Sequence, residues 1–398
     1  MKVYVTGLGI ISALGEGVEN NLSALQSGQT GIDYPYHLQS LHKDKLVAGE
    51  VKFANAELAQ KAGLKPNKLY SRTTLLGLIA AQEAVASAGL SAQQIANTGL
   101  INGTSVGGMD ISELHYMPFK KSYAAYGYEV FLGHDCGVCT EKIADRLGIK
   151  GHISTISTAC SSSANAIMQA ARLIRAGKVD RVIAGGTDAL ALFTLNGFNA
   201  LKILDASWCK PFDQHRNGLN LGEGAAYLIL ESEEQAIERK AEILAEVIGY
   251  GNANDAYHQT ASSPEGKGAY LAMKNAIEIS GNDKLQIDYI NVHGTGTQNN
   301  DLSESMALQM MFGENTPDYS STKSFTGHTL GAAGGIEAVF SILALKHGLK
   351  FPNLNMERPM DVLAQPPLHQ LKSSEPVRAV LSNSFGFGGN CTSLIFAR

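Results

Sequence analysis

Two stretches of this 398-residue chain obey the same local grammar, and that repetition constrains the fold more than any other feature of the sequence. In the first, ISTISTACSSSANAIMQAARLIRAG, Thr155, Ser157, Thr158 and Ala159 form a small, β-branched lead-in that reads as a strand. From Ala164 the apolar residues Ile167, Met168, Ala171 and Ile174 recur at helical spacing, and Gly177 closes the helix. In the second, a strand from Tyr319 to Lys323 leads into GHTLGAAGGIEAVFSILALKHG, which has the same small-residue start, apolar body and terminal glycine. A strand from Ala379 to Leu381 likewise matches one from Arg181 to Gly185. Two α/β halves of about 1–245 and 246–398, each delivering polar residues at strand ends, imply a pseudo-symmetric layered fold with one site between them. No Pro/Gly/Ser-rich linker divides them, so they read as interlocked parts of one domain.

The remaining elements follow the same periodicities. Val3 to Ile11 reads as a first strand, Val18 to Gln26 as a short helix, and Leu75 to Ala88 as an apolar helix stopped by Gly89. Cys136 to Leu147 reads as a helix. Met109 to Asp135 is idiosyncratic, and its first twenty residues, rich in aromatics, Lys and Ser without a clear period, read as a loop or cap over a site. The 44% hydrophobic and 17% charged content, with 42 glycines, suits a close-packed enzyme. A net charge of −5 argues against non-specific nucleic-acid binding. Five cysteines argue against a disulfide framework and for a reducing, cytoplasmic setting. The N-terminus lacks a convincing cleavage site, and the apolar stretch from Leu330 to Leu345 contains Glu337 and is too short to span a bilayer.

Cys160 falls where a strand turns into a helix. Unpaired amide N–H groups and the positive end of the helix dipole there stabilise a thiolate and lower the thiol pKa, while the plain alternative is a buried core cysteine. His293, in NVHGTGT, ends an apolar strand, and His328, in TKSFTGHTLGAAGG, starts a helix. Strand ends and helix starts are where α/β proteins build sites, although either imidazole alone reads equally as a structural histidine. A helix start also keeps His328 neutral. Lys323 stands at a strand end, and the glycines of SFGFGGN let backbone amides approach a ligand closely.

Lys61, Lys65, Lys68 and Arg72 are spaced to share one helical face, interrupted by Pro66, as a solvated stripe or a dock for an acidic partner. Cys136 and Cys139 form a CxxC without the further ligands a structural zinc needs. Cys209 and Cys391 read as packing residues.

Taken together, STACSSSANAI, NVHGTGT, STKSFTGHTLGAAGGIEA and NSFGFGGN resemble the β-ketoacyl-acyl carrier protein synthases of the thiolase-like fold, over nearly the whole chain. The resemblance implies a five-layered αβαβα fold, usually homodimeric, with a heterodimer of related subunits as the other arrangement. It implies Cys160 as acyl acceptor, His293 and His328 as the decarboxylating pair, and Lys323 in support. Phe387 would gate the site between Gly386 and Gly388, its N–H and that of Cys160 holding an oxyanion. Val106 and Phe198 would line an acyl pocket, Thr295 and Thr297 would contact a pantetheine arm, and the basic stripe would meet an acidic acyl carrier protein. The implied reaction is decarboxylative condensation with malonyl-carrier protein, using no metal and no cofactor beyond the carrier's phosphopantetheine, in fatty acid or polyene/polyketide synthesis. A chain-length-setting partner subunit shares the fold but lacks the nucleophile. His328 disfavours a Cys-His-Asn synthase, and the missing second cysteine disfavours a thiolase. Asn217, where acidic residues are common, departs from the pattern.

Overall fold

The computed structural model describes residues 1–65, 70–122, 128–281, 285–373 and 375–398. Among the described residues eleven strands form one sheet: β1 (Val3–Ser12), β2 (Gly15–Glu16), β3 (Gly99–Gly103), β4 (Ile153–Ile156), β5 (Arg181–Asp188), β6 (Gly224–Ser232), β7 (Ala245–Asn254), β8 (Tyr289–Asn291), β9 (Asp318–Ser320), β10 (Ala379–Phe385) and β11 (Asn390–Ala397). Their order is β4-β3-β5-β6-β1-β7-β11-β10-β8-β9, with β2 beside β1. Read outward from the β1/β7 junction, the two sides repeat one another. β6 and β11 are antiparallel to their inner neighbours, β5 and β10 are antiparallel to those, and two parallel strands complete each side. The junction itself is short, pairing Tyr4 with Glu246 and Val5 with Ala245.

Strand alternation sorts side chains into three cores, because successive residues point to opposite faces. On β6, Ala226, Leu228 and Leu230 join the central core, while Ala225, Tyr227 and Ile229 face an outer layer built from the helices Arg72–Ser87 and Cys136–Leu147. On β11, Leu394 and Phe396 turn to the same central core, and Ile395 faces the helices Lys267–Ile279 and Gln298–Phe312. The central core is filled by the helices Ser162–Arg175 and Ala333–His347, which bury Ile167, Ile174, Val339 and Leu343 there. Helices, one side of the sheet, the paired central helices, the other side of the sheet and helices make the five layers of a thiolase-like α/β fold.

The small residues that open the two central helices have a packing reason. A Cβ on Gly334 would lie 2.7 Å from the Cβ of Ala164, so the helices can approach this closely only without it. That approach brings the loops before the helices, which carry Cys160 and His328, to one place. The stretch Leu330–His347, the one helix among the described residues long and apolar enough to cross a membrane, is 89% buried in this central layer.

Three sequence expectations change. Met109 to Tyr128 is not a loop throughout: Met109–Lys121 is a helix despite Pro118, with Ile111 and His115 buried one turn apart, while residues 123–127 lie outside the described residues. Its exposed Leu114, Tyr116 and Met117 hide that period, because they place apolar residues on the solvent side too. The strand before Lys323 ends at Ser320, and Lys323 opens a short helix, Lys323–Thr326. His328 precedes its helix by a 3-10 turn, Leu330–Ala332.

Candidate active site

Cys160 sits in a tight reversal after β4. Ala159 is held left-handed at φ 52°, which costs a residue with a Cβ roughly 1–2 kcal/mol. Ser162 Oγ holds the turn from below, accepting from Thr158 N at 2.9 Å and donating to the Ala159 carbonyl at 2.6 Å. The helix begins two residues beyond the sulfur, and Cys160 is only 5% exposed. Burial therefore overrides the expected helix-start effect and pushes the thiol up to about 11. The Phe387 N–H and the Lys323 charge pull it down less strongly.

His293 follows β8 at the head of a turn anchored by a buried carboxylate. Glu304 accepts from the N–H groups of His293 at 2.9 Å and Gly294 at 2.8 Å, and burial pushes its pKa up to about 7. Lys323, 2% exposed, donates to the His293 carbonyl at 2.6 Å and to His293 Nδ1 at 3.1 Å, and is ion-paired with Glu337. Burial pushes Glu337 up to about 7 against the pull of Lys323. In the same half, His328 Nδ1 accepts from Leu330 N at 3.0 Å, and Leu330 is itself left-handed at φ 54°.

An ammonium and a backbone amide can only donate, so Nδ1 of each imidazole is an acceptor and its proton stands on Nε2. Burial first, then the Lys323 charge, lowers both pKa values, His328 to about 3 and His293 well below its ordinary range. The rings meet edge to face with centroids 5.4 Å apart. Each ring thus carries a neutral Nε2–H, and both rings line one cavity, where one developing oxyanion could accept from both.

The glycine turn closes the third side. A Cβ on Gly386 would stand 2.9 Å from the Thr158 carbonyl oxygen and 3.2 Å from Cys160 N, so only glycine admits this approach. Gly388, at φ 79°, donates to the Gln259 carbonyl at 2.7 Å. The Phe387 ring stacks on Phe198, centroids 5.6 Å apart. A cavity of about 250 Å³ is lined by Cys160, His293, His328, Thr295, Thr297 and Phe198 together with Gly386, Phe387 and Gly388. Asn217 lines it as well. Val106 does not: it is buried in a neighbouring apolar cluster with Leu330, against which Phe198 packs.

The basic stripe does not exist as one helical face. Lys61 ends the helix Asn55–Lys61 and pairs with Glu16 at 2.6 Å, Lys65 is exposed beyond that helix, and Lys68 lies outside the described residues. Arg72 is 7% exposed, its guanidinium on Glu223 at 2.6 Å and on the carbonyls of Val51 and Phe53. A buried, paired arginine inside the outer helix layer has no charge to offer a partner. Cys136 and Cys139 lie on the helix Cys136–Leu147, and no cluster of His, Cys, Asp or Glu among the described residues could hold a metal.

Sequence reasoning missed the carboxylates that support the site. Glu337, the one carboxylate of a largely apolar helix, is the available signal for a partner to Lys323. Asp301 and Glu304, one turn apart just after His293, take the amides of Thr295, Gly296, His293 and Gly294. Asp188 ends β5 and accepts from Ser105 N, Val106 N and Gly331 N, tying the two halves beside the cavity.

Known proteins are similar to this chain in architecture and sequence. The beta-ketoacyl synthase N-terminal domain matches residues 1–236 and the beta-ketoacyl synthase C-terminal domain residues 244–357. A 3-oxoacyl-[acyl-carrier-protein] synthase 2 of Staphylococcus aureus is 34% identical over 411 residues, covering 100% of this chain and 98% of its own. Among solved structures, an ishigamide ketosynthase/chain length factor superposes with TM-score 0.93 at 30% identity, covering 100% of this chain and 98% of its own. A ketosynthase in complex with its chain length factor from Xenorhabdus doucetiae does so with TM-score 0.83 at 33% identity, with the same coverage.

Proposed function

Because this chain belongs to the β-ketoacyl synthase family, we propose that it joins an acyl group carried on Cys160 to malonyl-acyl carrier protein, yielding 3-oxoacyl-carrier protein. The observation that carries this reading is the pair of Nε2–H imidazoles held over the same cavity as the Cys160 sulfur. In the first half-reaction the sulfur attacks the acyl thioester carbon. The carrier's thiolate leaves and takes the proton that Cys160 gives up. The N–H groups of Cys160 and Phe387 hold the oxyanion. In the second, malonyl-carrier protein loses carbon dioxide, and the enolate oxygen accepts from His293 and His328. Its carbon attacks the acyl carbonyl, and the Cys160 thiolate departs and is reprotonated.

Lys323 keeps His293 neutral and oriented, Phe387 and Phe198 close the mouth, and Thr295 and Thr297 meet the pantetheine arm. The reaction needs no resident cofactor, since phosphopantetheine arrives with the carrier. We place it in the cytoplasm, where its free cysteines remain reduced, in fatty acid or polyketide synthesis. A non-catalytic chain-length-setting role is not favoured, because the nucleophile, both imidazoles and the lysine are all in place.

The chain acts as a dimer with itself or a related subunit. Leu114, Tyr116 and Met117, Phe193 on the helix Leu192–Ala200, and Ile153 on the edge strand β4 are all exposed, an apolar surface of the kind that subunits cover. The solved structures of an acyl-carrier protein with its ketosynthase and of a ketosynthase with its chain length factor support such partners.

The test is condensation from acyl- and malonyl-carrier proteins. His293→Ala and His328→Ala should cut malonyl decarboxylation about a hundredfold or more while Cys160 acylation changes much less. Equal loss of both half-reactions would contradict the division of roles.

A further inference from the structure

Behind the Cys160 turn, outside the cavity, side chains from three separate segments share one hydrogen-bond cluster. Asn390 Oδ1 accepts from Ser161 Oγ at 2.8 Å, Asn165 Nδ2 at 2.8 Å and Asn252 Nδ2 at 3.0 Å. Asn165 Oδ1 accepts in turn from Asn252 Nδ2 at 3.0 Å and Thr392 Oγ1 at 2.9 Å, and Asn165 Nδ2 also reaches Thr158 Oγ1 at 2.9 Å. Three donors on one atom require that atom to be the amide oxygen of Asn390. Asn165 and Thr392 are buried, and exposed Asn252 closes the cluster from the solvent side. None of the four touches the cavity.

The cluster joins the two backbone segments that the acyl-transfer step brings together. Thr158 and Ser161 flank Ala159 and Cys160. On the other side, Gly386 N donates to the Asn390 carbonyl at 2.8 Å, which closes the turn that carries Phe387. These segments belong to different halves, and apolar packing between halves fixes distance loosely because it is non-directional. Hydrogen bonds fix direction as well. A misplacement of roughly 1 Å in a reacting constellation can cost about a hundredfold in rate.

We propose that the Asn165–Asn252–Asn390 cluster is a positioning device that sets the spacing between the Cys160 and Phe387 N–H groups, with Asn390 as its central residue. It rests on the acyl-transfer reading above and deepens it. Cys160 reacts in two ways that separate this role from general support of the fold. Alkylation by iodoacetamide forms no oxyanion, whereas acylation by a thioester does.

The experiment measures both rates at Cys160 by intact-mass spectrometry, using whichever of acetyl-, hexanoyl- and dodecanoyl-carrier protein labels the parent enzyme fastest. Asn390→Leu should slow acylation at least tenfold and leave alkylation within about twofold of the parent. Asn390→Asp, which keeps the accepting oxygen, should restore most of the acylation rate. Acylation of Asn390→Leu at the parental rate would overturn the proposal. If both rates fall together in Asn390→Leu, the surface variant Asn252→Ala decides. A selective loss of acylation of about threefold or more sustains the proposal, and no loss or a parallel loss overturns it. A parent enzyme that takes no acyl group on Cys160 would instead overturn the acyl-transfer reading itself.

Discussion

Lys323 Nζ donates to His293 Nδ1 at 3.1 Å, and this contact sets the tautomer of the imidazole and adds to the burial that keeps it neutral. A fixed cation at Nδ1 opposes a second proton on the ring and leaves the first on Nε2, the nitrogen left free to donate to a substrate oxygen.

Histidine ¹⁵N NMR should therefore find His293 and His328 neutral from pH 8 down to pH 5.5. In Lys323→Met the His293 titration should move up toward its ordinary value without reaching it, because burial, the larger cause, remains. Malonyl decarboxylation should fall about a hundredfold or more. Removing Lys323 also strands the Glu337 carboxylate, so denaturant unfolding should show a loss of about 3–5 kcal/mol. Lys323→Met combined with Glu337→Leu should regain that stability and no activity. A His293 titration unmoved by Lys323→Met would refute the electrostatic role of the contact.

The two glycines beside Phe387 should respond in opposite ways. In Gly386→Ala the new Cβ meets the Thr158 carbonyl and Cys160 N, backbone atoms that cannot swing aside, so acylation should fall roughly tenfold to a hundredfold. In Gly388→Ala nothing lies within 4 Å, and the only cost is left-handed backbone strain of about 1–2 kcal/mol. Acylation rates and melting temperatures of the two variants separate steric from conformational effects. A larger acylation loss in Gly388→Ala than in Gly386→Ala would contradict the close approach.

Much of this was legible before any coordinates. Helical period and terminal glycine found the Ser162–Arg175 and Ala333–His347 helices, and the matched grammar of their lead-ins placed Cys160 and His328 at one site. What periodicity could not give was burial depth. The sulfur's position reads as a helix start, yet its burial raises its pKa. Arg72 looked like a member of a surface stripe because its spacing to Lys65 and Lys68 is helical. Its partner Glu223 is 151 residues away, and no local pattern reports such a pairing. Glu304 and Asp301 were hidden for the same reason: their work is done on backbone amides, which leave no signature in residue types.

Arg72 and Lys65 should accordingly behave as different kinds of residue. Arg72→Ala uncovers the buried charge of Glu223 and should cost about 3–5 kcal/mol of stability, with little dependence on salt. Lys65→Glu should leave the melting temperature unchanged and weaken carrier-protein binding at low ionic strength, the difference fading by about 0.5 M salt. Calorimetry and binding titrations at two salt concentrations check both. Unchanged low-salt affinity in Lys65→Glu would remove Lys65 from the docking surface.

The most direct measurement of the central claim is peptide-level mass spectrometry of the enzyme after exposure to acyl-carrier protein. Of the five free cysteines, Cys136, Cys139 and Cys209 do not line the cavity, and Cys391, which does, has a thiol that burial pushes up further than that of Cys160. Cys160 shares the cavity with both imidazoles and the Phe387 turn. The acyl group should be found on Cys160 alone and should be absent from a folded Cys160→Ala variant. An acyl group on any other cysteine, or acylation that persists in Cys160→Ala, would contradict the assignment of Cys160 as the acyl carrier of the reaction.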